Sequence, residues 1–141
     1  MTAPIHISLR ALVSAALDPS KDMVYSVDTH TGDILKISLH GSVAELQRLQ
    51  TLTVRDPHRF LRVPKPTGED TYSDMMAFCA TTKDKKLQER LQRIIRGGGT
   101  LRDFIDTLTP YDVEKERWYK AREARIAQRM QNWARENGLT V

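Results

Sequence analysis

Gly97-Gly98-Gly99-Thr100-Leu101-Arg102-Asp103-Phe104 is the stretch from which the fold is read. Three successive glycines stop the helix before them, because glycine gives up the most backbone freedom in a helix and readily takes the left-handed cap that closes one. Thr100, with Asp103 three residues on, starts another helix through a capping box, although Asp is shorter than the preferred Glu. Upstream, residues 83–96 put Leu87, Leu91, Ile94 and Ile95 on one face, with the left-handed cap expected at Gly97. Downstream, a short helix reaches Leu108. Thr109-Pro110-Tyr111-Asp112 repeats the start signal with proline at the first helical position, and one long helix runs on to Gly138. The C-terminal half is therefore read as helical.

The first half has a different rhythm. Ser8 can cap a helix whose apolar positions are Leu9, Leu12, Val13, Ala16 and Leu17, closed by Asp18-Pro19. Met23-Val24-Tyr25-Ser26-Val27 and Ile34-Leu35-Lys36-Ile37-Ser38-Leu39 flank Asp28-Thr29-His30-Thr31-Gly32-Asp33, a hairpin with Gly32 supplying positive φ and Asp28 bonding turn amides. Tyr25 and Val27 share one face of the first strand, and Leu35, Ile37 and Leu39 share one face of the second. Residues 42–52 read as a helix with Val43, Leu46, Leu49 and Leu52 turned inward, ended at Asp56-Pro57. Phe60-Leu61-Arg62-Val63-Pro64 is a short strand that joins the hairpin, and its terminal proline suits a strand end. A helix around Tyr72, Met75, Met76 and Cys79 follows, with those side chains in the core.

The expected fold class is α+β: a small antiparallel sheet of about three strands, hairpin plus one short strand, covered by helices, with a helical C-terminal half. One domain is expected over residues 1–141, its first part at 1–80 and its helical part at 81–141. Hydrophobic residues make up 40% and charged residues 28%, which suits a globular chain. The longest apolar run is too short for a bilayer, and Met1-Thr2-Ala3-Pro4 does not begin a signal peptide. The lone Cys79 excludes an internal disulfide and fits a cytoplasmic location. Residues 1–80 hold 8 Lys/Arg against 9 Asp/Glu, whereas residues 81–141 hold 14 against 9. The excess of base lies in the second half and invites an anionic partner.

On a wheel of the last helix, Tyr119, Ile126, Met130 and Trp133 fall within about 40° of one line, which is read as its core stripe. Arg122, Arg125 and Arg129 lie on one flank, with Trp118 in the same sector. Guanidinium groups bond carboxylate or phosphate bidentately, and an indole stacks on cations or bases. Gly97, Gly99 and Arg102 add a second candidate, backbone amides at a helix start where an anion can rest. No Gly-Lys-Ser/Thr follows the glycines and no strand precedes them, so they are not a nucleotide-binding loop. His6, His30, His40 and His58 lack helical metal spacing, and Asp28 to Asp33 lacks the acids of a calcium loop. Cys79 has no base nearby on its helix to activate it. No catalytic, cofactor or metal residue is identified.

The chain resembles the bacterial uncharacterised protein family 0158, from the first helix to the end. That family's Tyr-x-x-Asp-x-x-Thr-Gly-Asp/Glu hairpin looks like Tyr25, Asp28, Thr31, Gly32 and Asp33. Its Gly-x-Gly-x-x-Arg-x-Phe segment looks like Gly97, Gly99, Arg102 and Phe104, and its later positions look like Arg117, Trp118, Tyr119, Arg125, Trp133 and Gly138. Leu101 and Ala121 stand where aromatic residues are expected. The resemblance implies the fold and brings no activity, cofactor or partner. Among the shared positions, Arg102, Trp118 and Arg125 are the hardest to assign to packing alone.

Function is therefore read as non-enzymatic binding of an acidic protein partner, by a surface joining Gly97, Gly99 and Arg102 to Trp118, Arg122, Arg125 and Arg129. RNA or DNA binding by the same flank is the alternative. A third reading is an enzyme acting on a phosphorylated small molecule near the glycine turn.

Overall fold

The computed structural model describes residues 5–56 and 58–141, without the side chains of residues 52–54. Expectations for Leu52, for Pro57 and for Met1-Thr2-Ala3-Pro4 lie outside the described residues. The element order is α1 (Leu9–Leu17), β1 (Met23–Asp28), β2 (Ile34–Ser38), α2 (Val43–Arg55), β3 (Phe60–Arg62), α3 (Gly68–Ala80), α4 (Lys85–Arg96), α5 (Leu101–Leu108) and α6 (Asp112–Glu136). The fold is α+β with a helical C-terminal half. The chain gathers into two compact units, one of Met1–Lys65 with Ile126–Val141, the other of Pro66–Arg125.

In the first unit, Ser8 caps α1 by accepting the Ala11 N–H at 3.1 Å, which frees Leu12, Val13, Ala15 and Ala16 to be buried together. The antiparallel sheet has strand order β2-β1-β3, with Val27 opposite Ile34 on one side and Leu61 on the other. The hairpin turn is built as its residues require. Gly32 adopts φ +81°, and a Cβ there would come within 2.8 Å of Ile5 Cγ2 and 2.9 Å of the His6 carbonyl oxygen, so only glycine fits. Asp28 accepts the His30 N–H at 2.9 Å, and it also takes a two-point bond from the Arg59 guanidinium at 3.1 and 3.0 Å. That fork holds the Asp28 carboxyl at about 2, below its ordinary value.

The core of this unit joins Leu12, Val13, Ala16, Val27 and Val63 to Ile126 and Met130 from the end of α6, with Trp133 packed alongside. Ile7 belongs to it and donates its N–H to the Thr140 carbonyl at 2.8 Å, beside a parallel bridge from His6 to Thr140. Helix α2 departs from the expected pattern. Ser42 caps it and it packs against β2, yet Val43 is 71% and Leu46 41% exposed. An amphipathic period fixes which residues share a helix face and leaves open whether a neighbour covers that face.

The second unit is helical. Thr67 and Asp70 form a full capping box at the start of α3, and Asp84 caps α4 by accepting the Lys86 and Leu87 N–H groups. Leu87, Leu91 and Ile95 of α4 meet Met75, Phe78 and Cys79 of α3 in a core that also takes Phe104, Leu108 and Trp118. Tyr72 and Met76, expected in this core, are 51% and 43% exposed; α3 instead buries Asp74, Met75, Phe78 and Cys79. Helix α6 begins at Asp112, so Pro110 lies in the turn before it and not at the first helical position.

Candidate anion-binding surface

The glycine turn is a Schellman stop for α4. Gly98 takes the left-handed conformation at φ +73°, where Gly97 had been expected to. The Gly99 N–H reaches the Ile94 carbonyl at 2.8 Å and the Gly98 N–H reaches that of Ile95 at 3.3 Å, the bond pair that defines the motif. The Gly97 N–H bonds the Arg93 carbonyl at 2.9 Å. Thr100 and Asp103 close the next helix start reciprocally, at 2.9 and 3.2 Å. These contacts hold the Asp103 carboxyl below its ordinary value, first through the Thr100 N–H and hydroxyl, with a smaller contribution from Arg102. The N–H groups of Gly97, Gly98, Gly99 and Thr100 are all spent inside the turn. The anion cradle expected from Gly97 and Gly99 is accordingly a helix stop, and the Arg102 side chain beyond it is exposed.

Trp118 is wholly buried, which removes it from any surface. Its ring centroid lies 5.5 Å from that of Phe78 and 4.8 Å from that of Phe104, and Phe78 meets Phe104 edge-on at 5.9 Å. Such pairs add about 0.5–1.5 kcal/mol each beyond the area they bury. Tyr119, expected in the core stripe, is 47% exposed. The reason is a change of buried line along α6. Residues before Arg125 bury the Trp118 face in their unit, and residues from Ile126 onward bury the Ile126, Met130 and Ala134 face in theirs. One wheel drawn through both segments averages two directions.

The arginines of the former flank are occupied. Arg125 Nε bonds the carboxylate of Asp74 at 2.5 Å, and its Nη2 bonds Ser73 Oγ at 2.9 Å. Arg122 and Arg129 are half-buried and already engaged. Arg117 lies over the Phe78 ring at 4.0 Å and bonds Glu114, Thr81 and Thr82. Arg117 and Arg125 thus satisfy their head groups with neighbouring side chains of their own unit.

A row of exposed cations runs along α4. Between residues 83 and 102 stand seven Lys/Arg and two Asp/Glu. Lys86, Arg90 and Arg93 follow one another at four- and three-residue steps, opposite the buried Leu87, Leu91 and Ile95, along about 10 Å of helix. Lys83, Lys85 and Arg96 extend the same exposed region, and Arg102 stands past the turn. Among the described residues, no ion pair joins Lys83, Lys85, Lys86, Arg90, Arg93 or Arg96 to an acid. The sequence contained this signal. The four-residue spacing that buries Leu87, Leu91 and Ile95 also sets Lys86, Arg90 and Arg93 outward.

Cys79 is buried, and burial pushes its thiol up to about 11, which leaves no thiolate for chemistry at neutral pH. Among the described residues, no three His, Cys, Asp or Glu side chains converge as a metal site would need. No described helix is long and apolar enough to cross a membrane. Residues 2–141 match the model of the family described as Uncharacterised protein family (UPF0158). The chain belongs to UPF0158. No curated protein and no solved structure matches it. Membership in UPF0158 agrees with the resemblance carried by the hairpin, the glycine segment and the long helix, and it brings no described activity.

Proposed function

We propose that this UPF0158 protein is a non-enzymatic binding module whose partner is an acidic protein segment, held by the outward face of α4 with Arg102 at its end. One observation carries the reading: Lys86, Arg90 and Arg93 form an exposed row without ion pairs among the described residues. Their spacing matches carboxylates set at helical intervals on a partner, and guanidinium groups bond carboxylates in forks. The row carries no aromatic side chain on which bases could stack, which favours an acidic protein over single-stranded nucleic acid. The lone Cys79 fits action in a reducing cytoplasm.

The test is a titration of the full chain with a labelled polyglutamate peptide and, separately, with a DNA duplex. The triple variant Lys86→Glu, Arg90→Glu and Arg93→Glu is expected to lose peptide binding while its melting temperature stays near that of the parent. Duplex binding tighter than peptide binding, with a steep salt dependence that the variant shortens by about three units of slope, would instead establish the nucleic-acid reading. Equal peptide affinity for the parent and the triple variant sinks the α4 assignment altogether.

A further inference from the structure

A groove of about 520 Å³ opens on the first unit where β3 leaves the sheet. The last bond of that edge runs from the Val63 N–H to the Tyr25 carbonyl at 2.8 Å, and Pro64, which has no N–H, follows. Met23 and Val24 continue β1 past this point, and with Leu39 and Val63 they give the groove its apolar lining. Three cations surround it: Lys21, Arg62 and Lys65. Lys65 is held in position, its Nζ donating to the Ser20 carbonyl at 2.5 Å and standing 5.7 Å from the Tyr25 ring centroid.

Two acids, Asp18 and Asp22, stand nearby, so three cations face two carboxylates and the rim keeps a net positive charge. Asp18 accepts the Tyr25 hydroxyl and the Ser20 N–H, the latter at 2.9 Å. Asp22 lies 2.9 Å from His40 Nε2. The groove thus combines an apolar lining with a positive rim and falls within the size range of small-molecule sites, about 300–1,000 Å³. We propose that it binds a small organic anion with an apolar chain, a medium-chain carboxylate, whose head group meets Lys65 and Arg62 while its chain lies on Met23, Val24, Leu39 and Val63. A neutral apolar ligand would leave the three cations unused, and a bare inorganic anion would leave the apolar lining wet. The groove is lined by residues of the first unit alone, and the proposal does not depend on the α4 reading.

The experiment is an amide-resolved NMR titration of the full labelled chain with octanoate, octylamine and inorganic phosphate, each to millimolar concentration. Octanoate is expected to shift Met23, Val24, Tyr25 and Val63 in a saturating manner, and octylamine and phosphate are expected to leave them in place. Arg62→Ala, at an exposed position, should weaken octanoate by about tenfold, the loss of one charge-assisted contact. Octylamine saturating the same amides, phosphate doing so alone, no saturation by octanoate, or Arg62→Ala binding octanoate as tightly as the parent would each overturn the assignment.

Discussion

Replacing Arg125 by Ala tests whether this arginine serves the interior or a partner. Asp74 has a side chain 0% exposed, while that of Arg125 remains 41% exposed, and the two are joined at 2.5 Å. Removing the guanidinium leaves a carboxylate out of water with one charge-assisted bond fewer. Breaking a fully buried pair costs about 3–5 kcal/mol, and the half-open side of Arg125, through which water can enter, lowers the expectation to about 2–4 kcal/mol. With an unfolding entropy of about 2 cal/mol/K per residue, that loss moves the melting temperature down by about 7–14 °C. Arg125→Lys should fall between, since it keeps the charge but gives up the planar group that bonds Asp74 and Ser73 together. A double-mutant cycle with Asp74→Ala, read by urea unfolding, should give a coupling of about 1–3 kcal/mol. If Arg125→Ala costs less than about 0.5 kcal/mol, the range of an ordinary surface change, the pair does not stabilise the unit and Arg125 returns to the list of surface contacts.

Three further outcomes follow from the same geometry. In a Trp133→Phe variant the remaining Trp118 should emit at short wavelength and resist iodide quenching, and an exposed emission would contradict its place between Phe78 and Phe104. Gly99→Ala should cost about 1–3 kcal/mol by denaturant unfolding, because the added Cβ would lie 2.5 Å from Ile94 Cγ2 and 2.8 Å from the Ile94 carbonyl oxygen; a neutral result would mean the turn packs differently. Asp28 has a folded value of about 2, below its ordinary one, so the stability it contributes is fully present above about pH 4 and is lost as pH falls through about 2. Arg59→Met should shrink the drop in urea midpoint between pH 5 and pH 2.5, and an unchanged drop would show that Arg59 does not hold the carboxyl down.

Much of the fold could be read from local chemistry. Ser8 and Thr100 were legible as helix starts because their side-chain oxygens satisfy amides that no helix can satisfy for itself, and Thr67 and Asp84 do the same in the structure without having been read as caps. The sheet followed from β-branched runs around Gly32 and from Pro64. The failures share one cause, which is that a period tells which residues share a face and not what that face meets. Val43 and Leu46 were assigned to a core that does not cover them, and Tyr119 took the place of Trp118. At the candidate site, Arg125 looked free because its acid, Asp74, is far away in the sequence and is brought beside it only by the fold. The α4 row was legible in the sequence from the leucines it opposes.

The first unit is interrupted in the chain: its core closes only when Ile126 and Met130 join Leu12, Val27 and Val63, with the whole of residues 66–125 made in between. On a ribosome adding about 5–20 residues per second, those sixty residues hold the early hairpin and α1 without their covering helix for about 3–12 s. The middle segment, contiguous and rich in short-range contacts, is complete first. The hairpin and α1 are thus covered only after the segment between them and Ile126 has been made, and for that interval their apolar faces stay open to water and to passing chains.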